Sequence, residues 1–259
     1  MKEKLKKRTL SFLERYPRVV FIHVPKCAGV SVYSSIYSAL YPSFFKTTPL
    51  TEIIDLKNSK KCEELLDIDM MKSREVIMVN YLNNPFKRFV TGHCYAAPKV
   101  VDAFYAQWDF LTVLRDPVDR FISEYVYNRF KKSDWVKVNM DVEEYLTTDV
   151  ASAQGMTLTR YFSGMTNQQL LVTEQQKVVE LALSNLTKFK SVGFVDDLEN
   201  WSHELSRLYN KKIPFKNKNA SPNNTMFADI KNNSDLTQKI RQLCAVDIAI
   251  YDEAKKMFG

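Results

Sequence analysis

Arg18-Val19-Val20-Phe21-Ile22-His23-Val24-Pro25-Lys26-Cys27-Ala28-Gly29-Val30-Ser31 is the stretch on which the reading of this chain turns. Arg18 to Val24 is dominated by apolar, β-branched residues and is bounded by Pro17 and Pro25, the pattern of a strand buried on both faces. Pro25 to Gly29 reads as a turn. Ser31 to Leu40 follows as a helix, with Val32, Ile36 and Leu40 on one face. A helix N-terminus offers free N–H groups and a partial positive charge, which together hold an anion. Small residues at Ala28 and Gly29 let the backbone approach that anion, Lys26 adds a charge and Ser31 a hydroxyl. A Walker A loop would need GxxxxGK[ST]; here the lysine precedes the glycine and the loop is shorter. Taken alone, the stretch is equally a plain connection with a surface lysine.

A second stretch joins it. Asp109 to Leu114 (DFLTVL) reads as another buried strand and runs into Leu114-Arg115-Asp116-Pro117-Val118-Asp119-Arg120-Phe121-Ile122-Ser123. Pro117 suits the first turn of a helix, where its missing N–H costs nothing. Ligands of open α/β sheets bind beyond the carboxyl ends of the strands, so Arg115 is expected at the same edge as Lys26. Its planar fork suits a phosphate, and Ser123, two turns along the helix, adds a hydroxyl. Elsewhere Glu75 to Asn80, Lys87 to Gly92 and Phe189 to Val195 read as strands. Asp141 to Leu146, Glu174 to Leu186, Leu198 to Tyr209 and Asp235 to Phe258 read as helices, and Lys211 to Thr225 as a polar loop. The alternation predicts an α/β, three-layer, P-loop-like fold with a central, mainly parallel sheet flanked by helices. A single domain over residues 1–259 is expected, with 1–17 a basic N-terminal segment.

Of the 259 residues, 45% are hydrophobic and 26% charged, as in a soluble globular protein. The net charge of +7 suits an anionic partner without choosing one. Part of it comes from Lys2, Lys4, Lys6, Lys7 and Arg8, opposed only by Glu3, a run that reads as a solvated, frayed terminus. Cys27, Cys62, Cys94 and Cys244 form no CxxC pair, so a zinc site or redox dithiol has little support and a reducing compartment is the simpler reading. No zinc finger, RNP or basic-helix pattern points to nucleic acid. No secretory signal and no apolar run of spanning length is present. A cytoplasmic protein is therefore expected, although a Golgi-lumenal catalytic domain lacking its anchor would read the same from Lys2 onward.

A strand ending in PKxxGxS, followed by LRDPxxRxxSxY, resembles the PAPS-dependent sulfotransferases (PAPS is 3'-phosphoadenosine 5'-phosphosulfate). Within them the chain looks most like the carbohydrate branch that includes the heparan sulfate and uronyl 2-O-sulfotransferases. Thr91-Gly92-His93, Thr159-Arg160-Tyr161-Phe162-Ser163-Gly164 and Ser191-Val192-Gly193-Phe194-Val195-Asp196-Asp197-Leu198 resemble further segments of that family. Cys27 and Ala28 stand where Thr and Gly are common in it. The resemblance implies that Lys26, Cys27, Ala28, Gly29, Val30 and Ser31 hold the 5' end of PAPS, and Arg115 and Ser123 the 3'-phosphate. It implies His93 as general base and Lys26 as a second catalytic group. Arg160 becomes the candidate contact to an acidic acceptor, with Lys87, Arg88 and Lys99 as further cations. Residues 216–225 would close over the cofactor. No metal is required, and the expected products are a sulfated hydroxyl and PAP, the 3',5'-bisphosphate. A P-loop kinase-like phosphotransferase and a non-catalytic nucleotide- or glycan-binding protein are the competing readings.

Overall fold

The computed structural model describes residues 2–165, 169–170, 173–215 and 223–259. Five strands, β1 (Val19–Ile22), β2 (Thr51–Ile54), β3 (Phe89–Gly92), β4 (Asp109–Leu114) and β5 (Ser191–Phe194), form one sheet in the order β2-β3-β1-β4-β5. All four pairings are parallel. The expected α/β fold is therefore observed, with β1 at the centre and completely buried.

Paired residues of parallel neighbours face the same way, so Phe21, Leu111 and Ser191 share one face of the sheet. Helix α2 (Gly29–Leu40) covers it at one end, where the Tyr33 ring lies 6.3 Å from that of Phe21. The helix Leu198–Tyr209 covers it at the other, where the Trp201 indole N–H donates to Ser191 Oγ at 2.6 Å. The opposite face carries the helix Ala245–Phe258, whose Tyr251 ring packs 5.6 Å from Phe194. Three layers result.

Several expectations need correction. Glu75 to Asn80 is not a strand but the body of a helix, Met70–Leu82. Its β-branched residues Val76 and Val79 are exposed, while Arg74, Glu75, Met78 and Leu82 are buried at helical spacing. Asp69 caps it by accepting from the Lys72 amide at 2.9 Å. The strand that does pair at that side, β2, is only four residues long and was not expected. Lys87 and Arg88 precede β3 rather than belonging to it. The basic terminus is helical, as α1 (Lys2–Leu13), with its cations solvated and Leu13 buried. Asp235 to Phe258 is two helices, Ser234–Leu243 and Ala245–Phe258, separated at Cys244. Leu236 and Ile240 join a second apolar cluster with Val118, Phe121 and Ile122, whereas Ile250 and Ala254 join the main core. One straight helix would not present both faces to both clusters. Residues 224 and 225, read as loop, begin the helix Asn224–Asn232.

A buried carboxylate ties the last helix to the layer beneath. Asp247 accepts from the amides of Leu158 and Thr159, both at 2.8 Å, and from Thr159 Oγ1 at 2.7 Å. The helix Thr157–Ser163 has no side-chain cap of its own, so Asp247 serves as one from a distant part of the chain.

Candidate functional site

Beyond β1 the chain turns through residues 25–28 before α2 begins. Lys26 (φ 64°) and Ala28 (φ 55°) both take the left-handed conformation. For residues with a Cβ this costs on the order of 1–3 kcal/mol each, and such strain gathers at ligand sites. Between them Cys27 points inward. It is fully buried, its Sγ donates to the Pro25 carbonyl at 3.5 Å, and burial pushes its thiol up to about 12. Only its backbone can meet a ligand. Val30 is the converse, with its side chain 61% exposed, so it too would serve through its amide. No side chain caps α2, and the Gly29 and Val30 amides find no acceptor among the described residues. These are the orphan donors an anion would satisfy.

Arg115 follows β4 directly, and its Nη1 donates to the Lys26 carbonyl at 3.3 Å. Its guanidinium also lies 5.6 Å from the Phe227 ring centroid, on the helix Asn224–Asn232. The helix Pro117–Phe130 is capped by Asp116, which accepts from the Asp119 amide at 2.9 Å. Ser123 is buried on it. One turn further, the Lys26 ammonium sits 4.0 Å from the Tyr127 ring centroid. Burial lowers the Lys26 pKa below the usual lysine value; Glu124 opposes this and Arg115 adds to it. The two sequence motifs thus meet at one strand edge.

His93 follows β3. Its Nδ1 lies 2.7 Å from the His23 carbonyl oxygen. That oxygen only accepts, so Nδ1 carries the hydrogen and Nε2 keeps the lone pair. The His93 carbonyl accepts from the buried Arg74 Nη1 at 2.9 Å. Burial lowers the His93 pKa below that of free imidazole; the His23 carbonyl opposes this and Arg74 adds to it. The His23 ring stacks on His93 with centroids 4.1 Å apart and planes at 31°. It also packs on Gly29, where a Cβ would come within 2.0 Å of the ring. His23 therefore touches both His93 and the first residue of α2.

The sulfotransferase family model matches residues 10–258 of the chain. The protein belongs to the sulfotransferase family. No curated protein matches it. Sulfotransferases move a sulfuryl group from a donor to an acceptor, which agrees with unpaired amides and two cations meeting at one strand edge.

Other expected residues of this sulfotransferase lie differently. Arg160 donates from Nη2 to the Ala153 carbonyl at 2.6 Å and from Nε to that of Met156 at 3.4 Å. No described contact joins it to Lys26 or His93, though its charge helps to hold down the pKa of Tyr95, two residues beyond His93, against the raising effect of burial. Lys87 and Arg88 are structural: Lys87 is buried and ion-paired with Glu52, and Arg88 Nε donates to the Leu13 carbonyl at 2.8 Å. Lys99 is exposed on the helix Pro98–Phe104. Residues 216–222 of the expected closing loop lie outside the described residues. Sequence reasoning assigned no role to Arg74, Glu124, Tyr127 or His23. Glu124 and Tyr127 were detectable as neighbours of Ser123 on one helix face. Arg74 was hidden by reading the segment after it as a strand. Among the described residues no three His, Cys, Asp or Glu side chains gather as a metal site, and no helix is long and apolar enough to cross a membrane.

Proposed function

We propose that this sulfotransferase takes its sulfuryl group from PAPS and passes it to a carbohydrate hydroxyl, with the chain acting as a single catalytic domain. The reading rests chiefly on the contact between Arg115 and the Lys26 carbonyl, which draws two anion-binding elements to one edge, with His93 stacked one ring away. PAPS supplies the sulfuryl group and the leaving bisphosphate. The amides of residues 27–30, with Lys26 and Ser31, hold its 5' end, and Arg115 and Ser123 hold the 3'-phosphate. A groove of ≈ 490 Å³ lined by Ser31, Ser34, Ser35, Ser38 and Lys212 gives room for the nucleoside. His93 Nε2 accepts the acceptor hydroxyl's proton as the new O–S bond forms. Lys26 and the orphan amides then stabilise the charge left on the departing phosphate oxygen as the old S–O bond breaks. General-base help of this kind is worth ~10²–10⁴ in rate.

The carbohydrate acceptor follows from the resemblance to the 2-O-sulfotransferase branch, with Arg160 its candidate contact. The four free thiols support a reducing, cytoplasmic setting.

Thermal unfolding with and without PAP tests this reading. At 100 times its dissociation constant PAP should add ~2.7 kcal/mol of stability to the wild type, and Arg115→Ala and Lys26→Ala should each abolish the shift. Stabilisation by Mg-ATP but not by PAP would replace this reading with a kinase-like one.

A further inference from the structure

His23 is 8% exposed, yet no described residue makes a hydrogen bond to either of its ring nitrogens. Neither nitrogen is among the buried polar atoms sealed off without a partner, so an N–H there is open to a ligand that reaches the ring. The orientation of the ring indicates where such a ligand would lie. The ring atoms nearest a Cβ built on Gly29 are Cδ2 at 2.0 Å and Nε2 at 2.2 Å. The Nε2 edge therefore lies against the first residue of α2, beside the orphan amides of Gly29 and Val30. The His93 ring lies alongside, its centroid 4.1 Å from that of His23.

The geometry points to His23 as a direct ligand of the donor's 5'-phosphosulfate, its Nε2–H donating to an oxygen of that group together with the α2 amides. This rests on the PAPS reading above. The acceptor's proton goes to His93, and the sulfuryl group and its phosphate lie along the neighbouring His23 and Gly29, so the stacked pair also sets the spacing between base and donor. Burial, then His93 and Lys26, lower the His23 pKa to about 3, so at neutral pH the ring donates without adding a charge.

The test compares PAP with adenosine 3'-phosphate, which lacks the 5'-phosphate, by titration calorimetry. In the wild type PAP should bind more tightly. In His23→Phe, which keeps a ring to stack on His93, the advantage of PAP should shrink by about tenfold or more, the usual loss for a hydrogen bond to a charged group. Adenosine 3'-phosphate affinity should be unchanged, and His23→Gln should recover part of the difference. An unaltered PAP advantage in His23→Phe overturns the inference and leaves the PAPS reading standing. Wild type that binds neither nucleotide overturns the PAPS reading itself. Should His23→Phe fail to fold, the wild type decides. With ¹⁵N-labelled histidine, PAP should shift the His23 Nε2–H resonance and adenosine 3'-phosphate should not, with exposed His203 as internal control. A His23 signal indifferent to PAP overturns the inference.

Discussion

Gly29 has no side chain because His23 fills the space one would need, and the two residues explain each other. Gly29→Ala would drive a methyl group into a ring already held by His93, at ~1–3 kcal/mol from overpacking. Its melting temperature should fall, and any PAP-induced shift should vanish even in protein that remains folded; an undiminished PAP shift would show that the ring can yield. The strand–turn–helix form of residues 19–40 was legible in sequence because a continuous apolar run, two bounding prolines and a helical apolar stripe follow one another. The inward turn of Cys27 was not, since a thiol is equally at home facing a ligand or the core. Nor was the role of His23, whose meaning depends on β3 bringing His93 alongside. That pairing is non-local, and no pattern within the first motif encodes it.

At the scale of elements, the helix Thr157–Ser163 carries Arg160 but has no side-chain cap of its own and depends on Asp247. Asp247→Ala removes three hydrogen bonds to a buried carboxylate and should cost ~3 kcal/mol or more. Asp247→Asn keeps an acceptor and should cost less. Urea unfolding of the two variants measures both, and equal losses would argue that charge rather than capping matters. Strands β1 and β4 were readable because buried parallel strands are continuously apolar. Met70–Leu82 was misread because its exposed face carries Val76 and Val79, mimicking a strand. The break at Cys244 has no glycine or proline to announce it, and follows only from the two apolar clusters that its flanking helices must reach.

For the whole molecule, the buried neutral His23 couples stability to acidity. Its folded-state value of about 3 lies below the free imidazole's 6.5. Between those values the unfolded chain binds the extra proton, so this contribution is full above pH 6.5 and is lost as pH falls toward about 3. The wild type should lose up to about 1.4 kcal/mol per pH unit more than His23→Phe across that window. Denaturant melts of both proteins at several acid pH values would show it, and parallel curves would place the His23 proton elsewhere. The strand order carries a different consequence, one of time. β1 leaves the ribosome first but pairs with β3 and β4, so Val19 waits for Phe89 on one side and Asp109 on the other. Until β3 is made, an apolar segment with high β-propensity has no partner of its own, and one of its edges stays open until β4 follows. Closing such long loops is slow, and the most hydrophobic strand of the fold is also the one left longest open to aggregation during synthesis.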